Sequence, residues 1–194
     1  MPVKNAMIRI ARHVDQTIEE LDDRHIEAMM DHIRNAQKIF IMGAGRSGLM
    51  GKAFAMRLEQ LGLTVYVIGE TVTPSMNDRD LLIAISGSGE TGSIVHAART
   101  AKGIGSKVLA VTSYPESNLG KIADQIVLVK GRTKIDIEKD HLKHQLEGTH
   151  TSLTPLGTLF EDTVMIFFDG MTAGLMTKLS KGESDLKKRH ASLE

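Results

Sequence analysis

Two short apolar runs, each stopped by glycine and serine, constrain this chain more than any other feature. Ile39-Phe40-Ile41-Met42 leads into Gly43-Ala44-Gly45-Arg46-Ser47-Gly48, and Asp80-Leu81-Leu82-Ile83-Ala84-Ile85 leads into Ser86-Gly87-Ser88-Gly89-Glu90-Thr91. Runs this short, with no polar alternation, predict strands buried on both faces. A helical pattern follows each loop. Leu49, Ala53, Met56 and Leu61, closed by Gly62, mark the first, and Ile94, Val95, Ala98 and Ala101 mark the second over 91–102. Apolar segments at 64–68, 107–111 and 125–129 add three strands, with a short helix at 117–123. Strands alternating with helices require a parallel sheet covered on both faces. The predicted fold is α/β, a three-layer sandwich around a five-stranded parallel sheet.

The flanks differ in texture. Residues 1–35 predict a helical segment broken at Asp22-Asp23. Met7, Ala11, Val14, Ile18 and Leu21 form one apolar stripe, and Ile26, Met29, Met30 and Ile33 form a second. Such a segment packs on the core or on a partner subunit, and the first stripe is the candidate oligomer surface. Residues 36–194 then form the main domain. Within it, 130–152 is a polar excursion carrying His141, His144 and His150. Thr154-Pro155 is expected to cap a long final helix, buried through Phe160, Val164, Phe167, Met171 and Leu175, before a tail holding Lys187-Lys188-Arg189-His190.

Composition removes several classes of function. The 194 residues contain no cysteine, which excludes disulfide scaffolds, thiolate metal sites and cysteine nucleophiles. Acidic and basic residues number 24 each, so the chain lacks the positive field that nucleic-acid binding needs. Lys4, Arg9 and Arg12 break up the first residues as a secretory signal, and no segment approaches the roughly 20 apolar residues of a membrane span. A cytoplasmic protein with no nucleic-acid or membrane partner is expected.

Glycine-rich turns at a helix start let backbone N–H groups approach an anion where the helix dipole favours it. Gly43 to Gly48 has the G-x-G-x-x-G form, and Glu70 lies where a ribose-binding acid would stand, so a nicotinamide-dependent oxidoreductase is one reading. A tight turn without ligand is another. The Ser86–Thr91 loop shifts the balance, because three hydroxyls around two glycines add O–H donors suited to a compact phosphate. A dinucleotide needs one such loop; two at neighbouring strand ends suit a phosphorylated sugar.

The segments 39–48, Phe54-Ala55-Met56-Arg57-Leu58, 69–75, 82–91, Pro155-Leu156-Gly157-Thr158-Leu159-Phe160-Glu161 and Lys188-Arg189-His190 together resemble the sugar isomerase (SIS) family, in order, from about Lys38 to the end. The resemblance is nearest to the branch that interconverts 3-hexulose 6-phosphate and fructose 6-phosphate, a step of the ribulose monophosphate pathway of formaldehyde fixation. It implies flavodoxin-like strand order, a homotetramer with active sites near subunit interfaces, and a reaction without metal or organic cofactor. Phosphate contacts are implied for Ser47, Ser86, Ser88 and Thr91, with backbone help from Gly87 and Gly89. Glu161 falls at the position of the catalytic base and His190 at that of the C-terminal histidine. The stretch 135–150 is longer than the family pattern.

The residue chemistry is compatible with those roles. Moving a carbonyl from C3 to C2 requires a base that removes one carbon-bound proton and returns another, and partial burial tunes a carboxylate for this. Glu161 stands in the first turns of an apolar helix, where complementing the helix dipole is the plainer role. His190 could move a proton between the two oxygens, or be a solvated tail residue. Arg46, next to Gly45, could neutralise phosphate or enediolate, or be a surface cation. His141, His144 and His150 lack an orienting carboxylate pattern and are read as exposed rather than metal-binding. A sugar-phosphate sensor, or a related isomerase acting on arabinose 5-phosphate or sedoheptulose 7-phosphate, are the remaining readings.

Overall fold

In a computed structural model, which describes residues 1–131 and 154–190, the alternating pattern resolves into β1 (Ile39–Gly43), α3 (Arg46–Gln60), β2 (Val65–Val67), β3 (Leu81–Ile85), α4 (Gly92–Ile104), β4 (Lys107–Thr112), α5 (Asn118–Ile122) and β5 (Gln125–Leu128). Two helices precede them, α1 (Pro2–Glu20) and α2 (Asp23–Asn35), and two follow, α6 (Thr158–Lys178) and α7 (Glu183–Lys188). All strand pairings are parallel, in the order β2-β1-β3-β4-β5, the flavodoxin-like order. Gly43 is in register with Ile85, so the two glycine-rich loops leave adjacent strands at the same sheet edge.

Strand side chains alternate between faces, and both faces are covered. Ile39, Ile41, Leu81, Ile83 and Ile85 join Met29 and Ile33 of α2, Phe54 and Leu58 of α3, and Phe168 and Leu175 of α6. Phe40, Leu82, Ala84, Val108 and Ala110 join Ile94, Ala98 and Leu119 from α4 and α5. Every side chain of β3 is buried, as expected for a central parallel strand. At the opposite end of the sheet the buried Asp80 carboxylate accepts from the Lys38 and Asn77 N–H groups and ion-pairs with Lys38 Nζ at 3.3 Å, tying the entries of β1 and β3 together. Among the described residues no helix is long and apolar enough to cross a membrane.

Two expectations need correcting. The face of α3 marked by Leu49 and Met56 points outward; Ser47, Gly51, Phe54, Ala55 and Leu58 are buried instead. Periodicity could not choose between the two interleaved faces. Gly51 decides it, since a Cβ there would stand 3.0 Å from the Ile41 and Ile85 side chains, and Phe54 stacks on Phe168 at 4.2 Å. The final helix starts at Thr158, not Pro155, because Gly157 at φ +85° lies outside helical geometry. Its buried face is as expected. The tail begins with the turn-and-a-half of α7.

The stripe on α1 divides. Val14 is 8% exposed and packs toward Phe167 and Met171 of α6, whereas Met7 and Ile18 face outward, Ile18 at 56% exposure. An aspartate at Val14 places a charge in an apolar contact and should destabilise the fold by roughly 2–4 kcal/mol. Gln16→Asp, at an exposed position of the same helix outside the apolar stripe, should leave the thermal midpoint nearly unchanged; comparing the two melts checks the assignment of faces.

Candidate active site

The phosphate-loop candidate, Ser86–Thr91, joins β3 to α4 and is held from several sides. Ser86 Oγ lies 3.0 Å from Thr91 Oγ1 and accepts from Gly89 N, while Ser88 Oγ accepts from Glu90 N. The Gly87 carbonyl accepts from Ser113 N at 3.0 Å and Thr112 Oγ1 at 3.3 Å. Glu90 takes both the backbone N–H and the side-chain amide of Asn118 at the start of α5, which holds its carboxyl below the ordinary range. Gly89 is indispensable to this shape. Its φ is +66°, and a Cβ would fall 1.9 Å from Ser117 Oγ. Thr91 precedes α4 without a side-chain cap, and the N–H groups of Ser88, Thr91, Gly92 and Ser93 have no hydrogen-bond partner among the described residues. An anion placed there meets open donors at a positive helix end.

The companion loop uses its glycines differently. A Cβ on Gly48 would lie 2.6 Å from the Gly43 carbonyl, and one on Gly43 would lie 2.8 Å from Gly48 N. Those two glycines allow the strand and helix backbones to cross closely, while Gly45, at φ +59°, makes the turn. Ser47 is buried in the first turn of α3. Glu70, the would-be ribose acid, ion-pairs with Lys52.

Above both loops sits the start of α6. Phe160 lays its ring against Gly87, where a Cβ would be 3.0 Å away, and its backbone lies against Gly131 after β5. This places Glu161 over the sheet edge, with its carboxylate against Gly157 and only 14% exposed. Arg46 reaches across from α3. Its Nη2 donates to Asp162 Oδ1 at 2.8 Å and its Nη1 to Thr158 Oγ1 at 3.2 Å. Nη1 is also 3.0 Å from Glu161 Oε2, an ion-pair distance, but without hydrogen-bond alignment, so Oε2 has no hydrogen-bond donor among the described residues. Burial pushes the Glu161 carboxyl above its ordinary value; Arg46 opposes this and Asp162 adds to it. A buried carboxylate with one bare oxygen and a raised pKa is equipped to take a proton.

Arg46, Ser47, Gly45, Glu161 and the Ser86–Thr91 loop thus share one edge of the sheet. His190 does not. It lines a cleft of about 640 Å³ with Arg57, Gln60, Asp169 and Met176. Asp169 follows Glu161 by eight residues, about 12 Å along the helix. The neighbouring Arg189 covers Gly62 beyond the far end of α3. Within one chain the histidine therefore stands apart from Glu161. His141, His144 and His150 lie outside the described residues. Sequence reasoning missed Thr158 and Asp162, whose partner Arg46 is more than a hundred residues away.

A fold and edge of this kind define a class of protein, and comparison agrees: the SIS domain family model matches residues 32–138, and the chain belongs to that family. The 3-hexulose-6-phosphate isomerase of Bacillus subtilis is 36% identical over 194 residues, spanning 100% of both chains. An uncharacterised protein of Aeropyrum pernix is 48% identical, covering 100% of this chain and 93% of its own. Among solved structures, that of a Methanococcus jannaschii protein, described as inferring a molecular function of 3-hexulose-6-phosphate isomerase, has a TM-score of 0.79 at 34% identity, covering 95% of this chain and 97% of that one.

Two outcomes follow from this geometry. Gly89→Ala should weaken binding of inorganic phosphate or fructose 6-phosphate by about tenfold or more, because the loop cannot keep its form, and calorimetric titration reads it. Glu161 has a folded pKa above its ordinary 4.5, so its contribution to stability is complete below that value and is lost as pH rises through the folded pKa. Glu161→Gln, which does not ionise, should melt higher than wild type at neutral pH and lose that advantage by about pH 4.

Proposed function

We propose that this chain isomerises 3-hexulose 6-phosphate to fructose 6-phosphate, in the ribulose monophosphate pathway, with Glu161 as the base. The observation that carries the proposal is Glu161 Oε2, buried without a hydrogen-bond donor, on a helix whose Phe160 packs directly on the phosphate loop. The substrate phosphate lies against Ser86, Ser88 and Thr91 and the open N–H groups before α4, which places the sugar carbons between that loop and α6. Glu161 takes the proton from C2, the electron pair moves to form the C2–C3 double bond, and O3 carries the negative charge of an enediolate. The O2–H proton passes to O3, and the proton on Glu161 is delivered to C3 as the C2 carbonyl forms. One carboxylate above a single face serves both carbons.

The proton shift between O2 and O3 is assigned to His190. Since His190 of the same chain lies beside Asp169, farther along α6, the residue that acts comes from a neighbouring subunit of a homotetramer. The exposed apolar stripe of α1, with Met7 and Ile18, supports such an assembly. The relatives named 3-hexulose-6-phosphate isomerase, at 33–39% identity over most of the chain, support the choice of substrate.

Supplying 3-hexulose 6-phosphate and following fructose 6-phosphate tests the reaction. Wild type should form product, and Glu161→Gln should lower kcat by about 10²–10⁴ with little change in KM. No product from wild type would refute the reaction, and full activity in the variant would refute the base.

A further inference from the structure

Arg46 meets three acceptors on the first turns of α6: Thr158 Oγ1, Glu161 Oε2 and Asp162 Oδ1. Positions 158, 161 and 162 are spaced so that all three share one helix face. A guanidinium beside a carboxylate ordinarily closes on it with two parallel N–H bonds. Here the fork is split. One arm is engaged by Asp162 and the other by Thr158, and Glu161 receives proximity without an aligned donor.

We propose that Asp162 is a positioning residue for the base: by holding the Arg46 guanidinium on its own carboxylate, it leaves Glu161 Oε2 bare and able to accept a proton. This rests on the reading of Glu161 as the base. Without the Asp162 charge, the same guanidinium can turn onto Glu161 and occupy the lone pairs that proton abstraction needs. Among the described residues the groups facing Glu161 are few. Arg46 comes from α3 and Asp162 from its own helix, while Arg9, Arg12 and His13 of α1 line a cleft beside Leu159, and Lys130 follows β5 with its carbonyl on His13 Nε2. Both consequences of Asp162 act in one direction. Its charge raises the proton affinity of Glu161 directly, and its grip on Arg46 limits the opposing cation.

An acid at a helix start can also merely complement the dipole, and the experiment separates the two roles. In Asp162→Asn an acceptor remains and the charge is gone. The ¹³C titration of the Glu161 carboxylate, assigned by its loss in Glu161→Gln, should move down by at least about half a pH unit. The acid limb of kcat/KM for 3-hexulose 6-phosphate should move with it, and kcat on the plateau should fall about threefold, as a weaker base requires. Asp162→Glu, which restores the charge, should return both toward wild type, and Asp162→Ser offers the same readout if the amide variant folds poorly. A Glu161 titration unmoved by Asp162→Asn overturns the proposal, even if kcat or Tm falls. A wild type inactive on this substrate, with the titration still displaced, removes the reaction and supports the positioning.

Discussion

Phe160 lying on Gly87 is the contact on which the site depends. A side chain at 87 would stand 3.0 Å from the ring, so the close approach exists only because the loop carries glycine there. Through that contact the last long helix, about seventy residues later in the chain, is seated on the loop after β3. Glu161 is the next residue, and its placement over the sheet edge follows from where Phe160 is held. The same step brings Thr158 and Asp162 within reach of Arg46. The Ser86–Thr91 loop, Glu161 and Arg46 are therefore coupled through one aromatic side chain.

The electrostatics of the edge arise from opposed demands. A phosphate-binding edge gathers positive potential from open N–H groups at a helix start, and such potential would by itself lower the proton affinity of a nearby carboxylate. Burial against Gly157 works the other way for Glu161, and the division of Arg46 between Thr158 and Asp162 limits the cation's pull. The result is a carboxyl displaced upward from its ordinary value beside a helix start with open N–H groups. A group held in this condition detracts from stability at neutral pH, the common trade between an active site and its fold.

Much of the fold was legible in the chain. Ile39–Met42 and Asp80–Ile85 read as buried strands because no polar residue alternates within them, and the Ser86–Thr91 loop read as an anion-binding turn from its glycines and hydroxyls. The α3 face was misread for a definite reason. Leu49 and Met56 share a stripe as good as that of Phe54 and Leu58, and only the sheet beneath selects one. The start of α6 was placed three residues early, since Thr154-Pro155 is a plausible cap and the left-handed Gly157 leaves no local mark beyond being glycine. His190 was read as acting with Glu161 on the family pattern, yet within one chain it lies farther along α6, beside Asp169 and Met176.

Taken by itself, the sequence determined the class of architecture, the two glycine-rich turns between strand and helix and the face that α6 buries. Local steric rules and side-chain periodicity act over a few residues, and these features need nothing longer. Only the tertiary structure decided that Arg46 belongs to Asp162 and Thr158 as much as to Glu161, and that Glu161 keeps an oxygen without a donor. Those facts join residues more than a hundred positions apart, across an angle set by the crossing of α3 and α6. No spacing within a single segment encodes that angle, because it comes from Gly51 on the sheet and from Phe54 stacked on Phe168.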